Sequence, residues 1–399
     1  MKQFEVVIVG GGPAGISTAL FLAHHRPELT DRIAVLEKAT YPREKFCAGG
    51  VGGRADKLLK SIDVVVDVPS VTFHGIAFRS QYGELIGREA DIGRVVRRKQ
   101  FDHELARQAE ARGITILQDT SLNDFWRIHA GFELDTSRGR FKARVLVGAD
   151  GVGSVVRKRL GFVSTRYLAQ ALELDTEHVE GDLPRDVILF DFTRSDLPGY
   201  YWDFPTLVDG KEMMCRGVYL LKRDGEASPV NIQAVLAEEL SARGLKLKDY
   251  RQKRFAERGF EPHQPISQNR VLLVGEAAGI DPVSGEGIAQ AIQYGATAGA
   301  YLGERMQDGQ LGFEDWPNAV GRAHVGLDLR ARTAGVDLFY GPRRAAIERY
   351  VLRYPEFLQV GMRYFGGKPW GTQAALRAGG GAIWHTVKAI LGVGDVERA

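Results

Sequence analysis

Three observations predict an α/β fold for this chain, organised around a parallel sheet. Gly10-Gly11-Gly12-Pro13-Ala14-Gly15 reads G-x-G-x-x-G and follows directly on the apolar run Glu5 to Val9. Two further short apolar runs, Lys142 to Val147 and Val271 to Val274, each end in a glycine-rich turn. Short valine- and leucine-rich runs of this kind read as strands buried on both faces, which is the condition of parallel strands.

The elements follow in order. Glu5 to Val9 is the first strand and Ile16 to His25 the helix after it. Gly10 permits the tight turn, Gly12 lets a pyrophosphate approach the backbone, and Gly15 lets the helix pack close to the strand. Pro13 and Ala14 open the helix, whose free N–H groups and positive dipole end suit phosphates. A second strand, Arg32 to Leu36, ends in Glu37, 22 residues after Gly15. A carboxylate there is expected to accept hydrogen bonds from an adenosine ribose. Arg98 opens a helix that ends near Gly113, and Gly148 to Arg157 turns the chain after the strand that begins at Lys142. Gly275 to Ile288 then leads into a helix running through Tyr294 towards Leu302.

Composition limits the function classes. The 399 residues are 44% hydrophobic and 26% charged, ordinary for a globular protein. A net charge of +3 is too small to argue for nucleic acid, and no apolar run reaches the length of a membrane span. Cys47 and Cys215 are the only cysteines, too few for a disulfide framework. With the first strand starting at the N-terminus, no signal peptide is expected and the expected location is cytoplasmic, at most peripheral to a membrane. The histidines show no metal-ligand spacing.

The three glycine motifs, in their order and spacing, resemble the fingerprints of the FAD-dependent hydroxylase superfamily, the fold of p-hydroxybenzoate hydroxylase. The resemblance spans residues 1 to about 310. It implies FAD as cofactor, with Gly10, Gly12, Pro13, Ala14, Gly15, Glu37, Lys38, Cys47, Ala48, Arg98, Leu122, Asp150, Gly151, Glu276, Gly285, Gly287 and Ile288 around it. Asp150 is expected to meet ribose or phosphate, and Arg98 to lie near the pyrophosphate. The Gly285 to Ile288 turn is expected to aim backbone N–H groups at the flavin N1 and C2 carbonyl. Glu276 departs from the family's Gly-Asp-Ala-Ala string, and its extra methylene shifts the carboxylate by about 1.5 Å.

Two local strings narrow the resemblance to the geranylgeranyl reductase family. Tyr200, Trp202 and Phe204 alternate before Pro205, a Tyr-x-Trp-x-Phe-Pro pattern that puts three aromatic rings on one strand face. Such a face serves a plain sheet core equally well. Lys45-Phe46-Cys47-Ala48-Gly49-Gly50 resembles that family's Lys-x-Cys-Gly element, with Ala48 inserted. Arg43 and Lys45 beside Cys47 suggest a lowered thiol pKa.

The resemblance implies a Rossmann-like FAD-binding domain (1–68, 96–165 and 262–325) interleaved with a sheet-rich substrate domain (69–95 and 166–261). A helical C-terminal segment, 326–399, completes the p-hydroxybenzoate hydroxylase-like α/β architecture. Strands are expected at 71–78, 169–174, 186–192, 200–204 and 213–221, and helices at 231–243 and 247–257. The apolar and basic C-terminal helices, including 382–391, read as core packing, as a cap on the substrate tunnel or as a contact with a membrane surface. The implied reaction is reduction of carbon–carbon double bonds in a hydrophobic isoprenoid by hydride from flavin N5. NAD(P)H or another electron donor would bind only transiently. Cys47, or a water behind it, would supply the proton, and Tyr200 and Trp202 would position the chain. The alternative is a monooxygenase or halogenase-like enzyme acting on an aromatic or polyketide metabolite.

Overall fold

A computed structural model describes residues 1–162, 166–226 and 230–369. Its frame is two sheets set by two kinds of sequence pattern. The uninterrupted apolar runs form the first sheet. Val271–Leu273, Gly139–Gly148, Lys2–Val9, Ile33–Leu36 and Thr115–Leu117 lie side by side and parallel. Val6, Val7, Ile8, Val145, Leu146 and Val147 are fully buried at its centre. A hairpin, Leu122–Ile128 with Gly131–Thr136, joins antiparallel to the start of Gly139–Gly148.

Helix Pro13–His25 packs on helix Ile288–Gln307 through Gly295 and Gly299. A Cβ at either glycine would stand 2.5 Å from the Cβ of Ser17 or of Phe21, so small residues at helical spacing set this close crossing. The contact brings the first glycine turn and the last one together, although they are some 270 residues apart.

The alternating runs form the second sheet, in the order Lys253–Arg258, Tyr167–Thr176, Lys211–Arg223, Gly199–Val208, Val187–Asp191, Ser70–Ser80, Gly83–Val96 and Gly50–Gly52. Its pairs are antiparallel except Val187–Asp191 on Ser70–Ser80. Alternation gives it two faces. Leu172, Leu174, Tyr201, Val218 and Leu220 pack on helix Ile232–Ser241, whose buried side is Ile232, Val235, Leu236 and Leu240. Tyr200, Trp202, Phe204 and Tyr219 point the other way, towards a cavity.

The helices His324–Phe339, Arg344–Arg353 and Pro355–Phe365 close that cavity from the far side. Gly87 and Gly93 of strand Gly83–Val96 leave room there for Met362 and Phe365. Their side chains both pack in the core, as Ile347, Tyr350, Val351 and Met362 do, and line the cavity. The segment 382–391 lies outside the described residues. None of the described helices is long and apolar enough to cross a membrane.

One element departs from expectation. The stretch 247–257 forms a single 3-10 turn, Leu247–Asp249, and then strand Lys253–Arg258 rather than a helix. Lys253, Phe255 and Glu257 alternate, and pairing with Tyr167–Thr176 satisfies their backbone. Strand Gly83–Val96, charged along much of its length, gave no apolar signal and was not foreseen as a strand.

Candidate functional site

The first glycine turn has the geometry a pyrophosphate needs. Gly10 has φ +110° and a Cβ on Gly15 would stand 1.9 Å from the Gly10 carbonyl oxygen, so both positions require glycine. Nothing lies within 4 Å of a Cβ built on Gly12, which leaves open space in front of the N-terminus of helix Pro13–His25. Glu37 ends its strand beside this turn, 4% exposed, and accepts the Gly11 N–H at 3.1 Å and the Ala39 N–H at 3.0 Å. Arg43 bridges Glu37 at 3.1 Å and the buried Asp102 at 3.0 Å, and Tyr41 donates its hydroxyl to the Gly11 carbonyl.

The last glycine turn is held from three sides. Tyr200 donates to the Ser284 carbonyl at 2.5 Å, Tyr219 to the Pro282 carbonyl at 3.1 Å, and Tyr340 to the Val283 carbonyl. Asp281 accepts the Val283 and Ser284 N–H groups at 2.7 and 3.1 Å, which leaves Gly285 at φ +64° in front of helix Ile288–Gln307. Burial pushes all three phenols well above their ordinary range, so they stay neutral donors.

This turn borders an apolar cavity of 610 Å³. Phe78, Phe190, Tyr200, Trp202, Phe204 and Tyr219 form one wall, Phe339, Leu358, Met362 and Phe365 of the C-terminal helices the other, and Cys47 to Gly50 an end. The Trp202 indole sits over Gly217, its paired residue, where a Cβ would stand 2.2 Å from the ring. The Trp202 ring N–H is buried without a hydrogen-bond partner.

Burial raises the pKa of the acidic groups around the cavity. Burial pushes the Cys47 thiol up, against the pull of Arg98, which corrects the expectation of a lowered pKa. Arg43 gives Cys47 no help because it is spent on Glu37 and Asp102. Glu257 lines the cavity with one buried oxygen unpartnered, 2.7 Å from where a Cβ on Gly285 would stand. Burial and the nearby Glu276 push its carboxyl well above the carboxylate range. Glu276 is raised by burial too, and one of its oxygens is buried without a partner. Glu173 accepts the Cys47 N–H at 3.0 Å, and burial pushes its carboxyl up to about 7.

The residues singled out from sequence fall into four groups. Gly10, Gly12, Pro13, Ala14, Gly15 and Glu37 surround the first turn, while Cys47, Ala48, Gly285, Gly287, Ile288, Tyr200 and Trp202 line the cavity. Gly151 and Glu276 lie between the two, with a Glu276 oxygen 3.4 Å from where a Cβ on Gly151 would stand. The rest are engaged elsewhere. The Asp150 carboxylate caps the following helix, accepting from Ser154 Oγ at 2.5 Å and from the Val155 N–H at 2.7 Å, so it holds a turn where a ribose or phosphate contact was expected. Arg98 grips Asp102 at 2.7 and 2.8 Å. Lys38 is exposed and Leu122 is packed into the core of the first sheet. Glu173 and Glu257 went unnoticed. Glu257 sat in the stretch misread as a helix, and the alternation Lys253, Phe255, Glu257 was the available signal.

The residues at the two glycine turns fit FAD. The open space at Gly12, the unpartnered Glu276 oxygen midway and the apolar cavity beyond match the cofactor's phosphates, polar linker and flat ring system.

Comparison with known proteins agrees. The family model described as FAD binding domain matches residues 3–310. An uncharacterized protein of Methanosarcina barkeri is 28% identical over 77% of this chain and 77% of its own length. A digeranylgeranylglycerophospholipid reductase of Methanothermobacter thermautotrophicus is 26% identical over 77% of this chain and 80% of its own. Among solved structures, a geranylgeranyl bacteriochlorophyll reductase-like protein of Thermoplasma acidophilum superposes with a TM-score of 0.67 at 18% identity, covering 95% of this chain and 96% of that one. The same fold serves a p-nitrophenol 4-monooxygenase of Pseudomonas putida (TM-score 0.68, 16% identity, 93% and 100% coverage). It also serves a flavin-dependent brominase (0.65, 18%, 98% and 99%). With both glycine turns and the family match in agreement, this chain belongs to the FAD binding domain family and is an FAD-dependent oxidoreductase of the p-hydroxybenzoate hydroxylase-like fold.

Proposed function

We propose that this oxidoreductase reduces carbon–carbon double bonds of an isoprenoid substrate. The observation that carries the reading is the 610 Å³ cavity, walled by aromatic and aliphatic side chains and bounded at one edge by the Gly285 turn. Its wall contains the Tyr200, Trp202 and Phe204 face, and its cap is apolar too. A flexible prenyl chain gains from such a wall about 25 cal/mol per Å² of apolar surface buried. The named reductases among the relatives support the same class of substrate.

FAD, when bound and reduced by a transient NAD(P)H or another donor, supplies the hydride. An isolated alkene needs a proton at its other carbon in the same event. We assign that proton to Cys47, whose thiol is kept protonated by burial and which borders the cavity. Tyr200 serves by fixing the turn at Ser284, since its hydroxyl is committed there. Trp202 serves by holding the chain against the wall.

The test is anaerobic. Reduced protein is mixed with prenyl substrates of increasing length and the products are weighed by mass spectrometry for two hydrogens per double bond. Trp202→Ala is expected to weaken binding more for long chains than for short ones and to slow reduction. Product formed only in the presence of oxygen, with no prenyl substrate reduced, would replace this reading with a monooxygenase or halogenase-like one, the chemistry of other proteins sharing the fold.

A further inference from the structure

A second cavity, polar and 480 Å³ in volume, lies on the other side of Cys47. Lys45, Arg97, Arg98, Glu173 and Lys253 are among its lining residues, and Cys47 lines both cavities. Glu173 is the buried acid at this partition, 1% exposed. It sits on strand Tyr167–Thr176 two residues after Ala171, which lines the apolar cavity, so one strand face serves both spaces.

Its contacts tie it to the thiol loop. One carboxylate oxygen accepts the Cys47 N–H at 3.0 Å and the other faces Cys215 Sγ at 3.7 Å. The neighbouring cations are committed elsewhere. Lys253 pairs with Asp175, Arg97 donates twice to Asp175 at 2.9 and 2.8 Å, and Arg98 donates twice to Asp102. Glu173 is left with weak compensation for its burial, and its proton is retained up to about pH 7.

We infer that Glu173 returns a proton to Cys47 after each turnover, drawing it from the polar cavity, a role that rests on the assignment of Cys47 as proton donor. The hydride brings the electron pair to one alkene carbon. The Cys47 S–H bond breaks as the new C–H bond forms on the other carbon, leaving a thiolate. The Glu173 O–H bond then breaks, its proton passes to the thiolate through water in the polar cavity that both residues line, and solvent reaching that cavity reprotonates the carboxylate. No further oxidant or reductant enters. The charged and titratable groups facing the pair are Lys253, Asp175, Arg97 and Cys215 around Glu173, and Arg98 and Glu257 around Cys47.

The inference is tested on FAD-loaded protein without substrate. Alkylation of Cys47 by iodoacetamide is followed by peptide mass spectrometry between about pH 5 and about pH 10. The thiolate is the reacting form, and a negative charge on Glu173 disfavours it. The wild-type profile is therefore expected to carry a shoulder near pH 7. Glu173→Gln keeps an acceptor for the Cys47 N–H and loses the titration. It is expected to abolish the shoulder and to raise the rate at about pH 8 by about three- to tenfold. With a prenyl substrate, Glu173→Gln should complete its first turnover at the wild-type rate and then slow at least about tenfold.

A wild-type profile with one inflection, or equal steady-state rates in both proteins, would overturn the inference. The wild-type profile decides even if the variant does not fold. A shoulder in a protein that reduces no prenyl substrate would refute the proton-donor reading, and this role with it, while showing that the two groups titrate together.

Discussion

Glu37 shows how a single carboxylate is used twice. It accepts the Gly11 and Ala39 N–H groups and pairs with Arg43, so it holds the glycine turn in shape. The same position, at the end of the second strand, is where an adenosine ribose is met in this fold. Glu37→Ala is expected to weaken FAD binding by about 1–3 kcal/mol, the range for hydrogen bonds to a charged group. Flavin released on dilution, measured by fluorescence, checks this, and unchanged retention would remove Glu37 from the site. Glu276 stands where the family string carries Asp, yet it leaves one oxygen buried and unpartnered. The longer side chain has therefore not swung out to solvent, and the polar demand at that point persists.

The paired strands Gly199–Val208 and Lys211–Arg223 shape the aromatic wall through register. Trp202 is opposite Gly217 and Tyr200 is opposite Tyr219. The missing side chain at Gly217 is what leaves room for the indole against the neighbouring strand. Gly217→Ala puts a methyl group 2.2 Å from the Trp202 ring and 2.7 Å from the Leu172 carbonyl oxygen. Overpacking of this kind is expected to cost about 1–3 kcal/mol and to turn Trp202 into the cavity. A lower melting temperature with a changed near-ultraviolet circular dichroism band would report both effects. An unchanged band would mean that the wall accommodates the methyl group without moving the indole. The alternation of Tyr200, Trp202 and Phe204 was plain in the sequence. Its purpose was not, because a core face and a cavity wall carry the same pattern and differ only in what packs opposite.

The two sheets and the C-terminal helices meet at one buried charge cluster behind the last glycine turn. Arg332 of helix His324–Phe339 reaches Asp281 at 2.5 Å, Glu286 at 2.7 Å and Asp328 at 2.8 Å, and Arg54 reaches Glu286 at 2.6 Å. The cap over the cavity is thereby anchored to the turn that borders the flavin site. Arg332→Ala would strand buried carboxylates, at a cost of about 3–5 kcal/mol. Faster proteolysis of the helical cap and loss of FAD are expected together. Loss of one without the other would show that cap and turn are not coupled.

The family resemblance implied the cofactor, and the sequence by itself determined the parallel sheet and the two glycine turns. Those features rest on local rules: apolar runs bury on both faces, and glycine alone tolerates the close approaches at Gly10 and Gly15. Only the tertiary structure decided which charges remain free. Asp150 and Arg98 looked available and are spent on neighbours, while Glu173 and Glu257 looked unremarked and are buried beside the cavities. It also decided the state of Cys47. Nearby cations in sequence argued for a lowered thiol pKa, but Arg43 turns to Glu37 and Asp102, and Cys47 lies half-buried between two cavities. Hydrogen-bond commitment and desolvation depend on what the fold brings from elsewhere in the chain, and no local pattern encodes them.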